Sequence, residues 1–279
     1  MIDNLDQQVE KMPWPEIIDG SPNSETAFNF KDRQIALTIS WSWVLEKISE
    51  ALIARDSKSV IKLLFSDVNY VQINRNAVED IRSIVRQPTN ENVLKRIQGK
   101  IESLKNLMSE YLEHTQNNQL QLEYMIDESN FVVEQLKTLA VVGVGAFTIA
   151  SGFHLALLQE KAKLDPAKWN NVKDRAIEYS DYVAKETPQL YRLSIGLIDK
   201  FCHCTKSKSD QAESIIEYKC RYFDGKDIHL FRNVSQNAVN ECNKHRLKMF
   251  YDLTDRVNRN AVTPVRSARG KWLELVASI

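Results

Sequence analysis

The chain has 279 residues, 43% hydrophobic and 27% charged, with only 8 Gly and 7 Pro. So few turn-formers argue for a few long elements over many short strands. The 37 Lys and Arg balance the 37 Asp and Glu. No basic excess or basic block is present, which argues against nucleic acid as a partner.

From Met1 to Gly20 the chain is polar and acidic, with Asp3, Asp6, Glu10, Glu16 and Asp19. It lacks the basic start and apolar core of a secretory signal. The expectation is a chain made soluble in the cytoplasm, leaving the cell, if it acts outside, by lysis or a route the sequence does not show. Pro13, Pro15, Gly20 and Pro22 break any helix, so residues 1–27 read as an irregular arm. Beyond it, helical periodicity dominates through about residue 258.

Ile35, Ile39, Trp43 or Val44, Ile48 and Leu52 mark one apolar helix face, with Trp41 and Trp43 thickening it. A short helix follows at Ser59 to Phe65. Asn69 to Arg86 repeats the helical spacing through Val71, Val78, Ile81, Ile84 and Val85, and Pro88 ends it. The clearest amphipathic helix carries Val93, Leu94, Ile97, Ile101, Leu104, Met108, Tyr111 and Leu112, with Thr89 and Asn90 at its cap. Gln119 to Lys137 forms the next, and its polar side is acidic through Glu123, Asp127, Glu128 and Glu134.

Then the character changes. Thr138 to Gln159 holds no Asp, Glu, Lys or Arg. About 20 such residues suffice to cross a bilayer core. A helix apolar all round is equally the mark of a core helix enclosed by others. Gly143, Gly145, Gly152 and His154 within the span, and the unpartnered apolar faces of its neighbours, favour the enclosed helix over a permanent anchor. A helix hidden in a bundle can still enter a membrane if the bundle opens, because its backbone polar groups are satisfied internally in either medium. The candidate inserting residues are Val141, Val142, Val144, Phe147, Ile149, Phe153, His154, Leu155, Leu157 and Leu158. With the preceding helix they form a hairpin over about 119–159, whose acidic residues would line a watery lumen. A proton switch at His154 is a further reading of that residue.

Asp165-Pro166 predicts a helix start, and Trp169, Val172, Ala176, Tyr179 and Val183 continue it. Pro188 is expected to kink or split that helix before Leu190 to Phe201. Cys202 to Gly225 reads as less regular, with no convincing hairpin. A last strong helix spans about Val234 to Val257, and residues 259–279 read as a loose tail in which Trp272, Leu273 and Val276 dock back. Cys202, His203, Cys204, Cys220 and Cys242 have poor spacing for a metal site, so no metal and no cofactor are expected. No phosphate-binding loop, zinc-protease or nucleophile-elbow motif occurs, and no enzyme class is indicated.

Three stretches carry a family resemblance. From Gly152 the chain reads GFHLALLQEKAKLDPAKW, and further on DRAIEYSDYVAK. His154, Leu155, Leu157, Leu158 and Trp169, then Tyr179, Ser180 and Asp181, resemble the central helix and following helix of the pore-forming domain of insecticidal crystal delta-endotoxins. Arg246, Met249 and Asp252 resemble that domain's last helix. The resemblance implies an all-α fold of about seven helices around the apolar one. It also implies a toxin that inserts the hairpin into target-cell membranes as a homo-oligomer, guided by a receptor or partner chain. The family's two β-rich receptor-binding domains are not expected within these 279 residues, so a partner chain or a stand-alone helical member is the expectation. The rival reading is a cytosolic helical adaptor that binds a partner through a groove or the Trp41/Trp43 face.

Overall fold

The computed structural model describes residues 40–85, 87–113, 119–209, 212–223, 228–233 and 237–279. The expected arm, residues 1–27, lies outside them. Helix α1 (Trp41–Ile53) opens at Ser40, whose hydroxyl accepts from the Trp43 amide and so satisfies one free helix-end donor. Asp56 caps α2 (Ser57–Lys62) in the same way, and a π-helical turn, Leu63–Asp67, extends it. Then come α3 (Tyr70–Val85) and α4 (Glu91–Glu113), the latter capped by Asn90. Helices α5 (Gln119–Lys137) and α6 (Ala140–Leu164) follow, with only Thr138 and Leu139 between them.

The helical bundle around a central apolar helix that the all-α reading expects is the fold, with one three-stranded sheet inserted in the chain at Cys202–Asn233. Val141 through Glu160 are buried without a break. Helix α6 packs against α1, α2, α3, α5, the long α7 (Trp169–Phe201) and the C-terminal α9 (Thr263–Ser278). Neighbours on every side remove the need for a polar stripe, which explains the missing amphipathicity. Phe147 and Phe153 are fully buried, and each contributes about 1.5–3 kcal/mol by leaving water. Phe153 meets Phe65 and Tyr70, while Phe147 meets Tyr179 and Tyr182. Close approach fixes two glycines. A Cβ at Gly152 would stand 2.5 Å from Ile48 Cγ2, and one at Gly143 would stand 2.6 Å from the Leu136 carbonyl.

Several expectations need correction. Trp41 and Trp43 do not share a face, because residues two apart point to opposite sides of a helix. Trp41 is buried and donates to Asp80 at 2.9 Å, whereas Trp43 is exposed. Helix α7 is not split at Pro188. Val183 and Leu190, on either side, are both fully buried. Packing of both flanks outweighs the lost backbone bond. Residues 259–279 are no loose tail. A π-helical turn, Asn258–Val262, leads from α8 (Asn237–Val257) straight into α9, whose Trp272 is fully buried.

The stretch expected to be irregular is an antiparallel meander of β1 (Cys202–Ser209), β2 (Ala212–Phe223) and β3 (Ile228–Asn233). Its register sets Cys204 opposite Cys220 and Cys220 opposite Phe231. Strand β1 (CHCTKSKS) is so polar that no buried alternating face announces it.

Candidate functional site: the α5–α6 hairpin

The hairpin turn is tight because Ala140 adopts φ 49°. That left-handed conformation costs a non-glycine residue about 1 kcal/mol, and it folds α6 back along α5. All ten sequence-derived inserting residues, Val141, Val142, Val144, Phe147, Ile149, Phe153, His154, Leu155, Leu157 and Leu158, lie on α6 and are buried.

His154 is the one titratable group midway along α6. Its Nδ1 is 2.5 Å from the Tyr179 hydroxyl on α7. Burial, with the nearby Arg175 guanidinium, pushes its pKa down to about 3, against a lesser opposing pull from Glu178. Burial likewise pushes the Tyr179 hydroxyl up. Both groups are therefore neutral at physiological pH. Tyr179 also packs edge-on to Phe147 and Trp272, so α6, α7 and α9 meet at this ring.

The C-terminal end of α6 is polar and is pinned. Glu160, almost buried, accepts from Ser57 at 2.5 Å and from Lys163 at 2.7 Å on the same oxygen, and from Tyr111 at 3.4 Å on the other. Burial raises its carboxyl pKa, but the bonds from Lys163 and Ser57 outweigh that and hold it below the ordinary value. Gln159 donates to the Leu52 carbonyl at 2.9 Å. Sequence reading missed this latch, although a Gln-Glu pair closing an apolar run is a visible signal.

The acidic residues of α5 separate into two groups. Glu123, Asp127 and Glu134 lie on its exposed face, where Glu123 pairs with Lys161 at 2.9 Å and Glu134 with Lys137 at 2.7 Å. Glu128 faces α4 and is bound by Lys100 at 2.7 Å. Beside the acidic strip runs an exposed apolar one of Leu120, Tyr124 and Phe131, also unrecognised in the sequence.

Comparison with protein-family models, curated proteins and solved structures finds no match. Ala140–Leu164 is, among the described residues, the single helix long and apolar enough to cross a membrane, and its apolar window is fully buried. No group of three or more His, Cys, Asp or Glu side chains among those residues is placed to hold a metal ion. A cleft of about 350 Å³ lies between α3 and α4, lined by Val78, Leu94, Ile97 and the paired Arg82 and Glu91.

Proposed function

We propose that this chain is a pore-forming, toxin-like protein that opens its bundle at a target membrane and inserts the α5–α6 hairpin as an oligomer. The observation that carries this reading is the hairpin itself. A helix with no solvent face is joined through a strained turn to a helix whose outer face is acidic. Inserted, α6 would meet lipid with its backbone satisfied internally, and the acidic strip of α5 would meet water. The resemblance to crystal delta-endotoxins carried by the His154 and Tyr179 stretches supports the same reading. A receptor or partner chain would supply targeting.

Closing the bundle with a disulfide tests this. A Cβ at position 152 would lie 3.8 Å from the Cβ of Ile48, at the mean separation in disulfides of about 3.8 Å. The Ile48→Cys/Gly152→Cys protein, oxidised, ties α6 to α1. Dye release from liposomes is expected from the wild type and from the reduced variant, and its loss is expected on oxidation. Release that is equal in both redox states would sink hairpin insertion. No release from folded protein under any condition, with or without limited proteolysis, would favour the adaptor reading. Trp43, exposed at a cleft between α1 and α9, would then be the first surface to probe.

A further inference from the structure

The exposed faces of α5 and α8 are complementary. On α5, Leu120, Tyr124, Asp127 and Phe131 recur at helical spacing, and all are exposed, Leu120 at 81%. Glu123, Asp127 and Glu134 edge that strip with negative charge. On α8, Leu247 and Tyr251 are exposed, Tyr251 at 66%, and are flanked by exposed Lys244 and Lys248. Leu120 and Phe131 span about 16 Å along the helix axis, roughly the three turns over which two helices interdigitate.

We propose that α5 of one copy of this chain seats on α8 of a second copy, so that folded bundles associate head to tail. Antiparallel seating sets Lys244 and Lys248 against Glu134 and Asp127. It sets Leu247 against Phe131 and brings Tyr251 toward Tyr124. Asp252, exposed next to Tyr251, then falls opposite Glu123, and this like-charge pair, moderated by Lys161 on Glu123, opposes the seating at that one end. Because the two patches differ, each copy keeps one free α5 and one free α8 after pairing, and the contact propagates into a ring or a chain of copies. Opposite charges on exposed strips make the association salt-sensitive. This goes beyond membrane insertion and does not depend on it, since the partners are intact bundles in solution.

Sedimentation velocity of the full chain across a concentration series, at low and high salt, tests the proposal. The wild type is expected to shift from monomer to larger species with concentration, and back toward monomer in high salt. Tyr124→Lys/Asp127→Lys disables the α5 face and Leu247→Glu/Lys248→Glu the α8 face. Each double variant is expected to sediment as a monomer, with association weakened by about tenfold or more. Mixed in equal amounts, the two are expected to regain association, because the intact α5 face of one meets the intact α8 face of the other and the exchanged charges at 127 and 248 are again opposite. Circular dichroism checks that both are folded, and the single changes Asp127→Lys and Lys248→Glu serve if either is not. A wild type that stays monomeric overturns the proposal. So does an α8-face variant that still associates, which would mean α5 pairing with itself.

Discussion

The imidazole Nδ1 of His154 and the hydroxyl of Tyr179 stand 2.5 Å apart inside the bundle, and they join the central helix to α7. This contact couples opening to pH. In the folded chain the His154 pKa is about 3, whereas a solvated histidine titrates near the ordinary 6.5. Above the ordinary value neither state binds the proton, and pH has no leverage. Between the two values only the opened chain binds it. Stability therefore falls as pH falls through that window, by at most about 1.4 kcal/mol per pH unit.

The His154→Gln variant removes that proton. Its stability relative to wild type is expected to improve by about 2 kcal/mol between pH 7 and pH 5, read from urea midpoints at each pH. A constant difference at both values would mean that His154 does not link opening to acid.

A second set of expectations concerns backbone and packing, with opposite signs along one chain. Gly152→Ala places a methyl 2.5 Å from Ile48 Cγ2 and should cost about 1–3 kcal/mol. Gly99→Ala, on the exposed face of α4 with nothing within 4 Å, should stabilise by about 0.5–1 kcal/mol. Ala140→Gly should relieve the left-handed turn by about 1 kcal/mol. Thermal denaturation of the three variants checks the signs. If the closed bundle restrains insertion, Gly152→Ala should also release dye at lower protein concentration than wild type.

These positions show how much was legible beforehand. The central helix could be read directly, because a charge-free run of that length has few homes. The bounds of α5 follow from its apolar spacing and the polar residues before it. The meander could not be read, since the polarity of β1 gives no alternating apolar face to detect. Helix α9 was obscured by Pro264 and Gly270. Yet Pro264 occupies the first turn, where no backbone donor is needed, and Gly270 has open space around it. Within the candidate site, the split between Glu128 and the other α5 acids depends on Lys100, a partner in another helix. Helical spacing alone does not identify such a partner.

The Glu160 latch gives a different pH signature. A carboxylate held below its ordinary value contributes stability above that value and loses it as pH falls through the lowered one. Lys163→Met removes the ammonium that bonds Glu160 and leaves the carboxylate with Ser57 and Tyr111. The pKa of Glu160 should then rise, and acid unfolding followed by tryptophan fluorescence should begin at higher pH than in the wild type. Ser57→Ala should act in the same direction and cost about 1–3 kcal/mol at neutral pH, since Ser57 is fully buried. An unchanged acid midpoint in both variants would remove Glu160 as a latch.

The acidic strip makes the pore reading quantitative. Negative side chains lining a narrow aqueous path favour cations there. Glu123→Gln, Asp127→Asn and Glu134→Gln together should lower cation preference and move the reversal potential in a salt gradient toward zero. Their partners Lys161 and Lys137 lie near the rim of the bundle, and exposed pairs of this kind are worth about 0–1 kcal/mol each, so the triple variant should still fold. Glu128→Gln is the informative contrast. It takes the negative charge out of the ion pair with Lys100 between α4 and α5, which weakens the closed bundle, while Glu128 stands apart from the exposed strip. Its pores should keep the wild-type reversal potential and open more readily. Planar-bilayer recordings of both variants separate selectivity from gating. A triple variant with wild-type selectivity would remove α5 from the lumen.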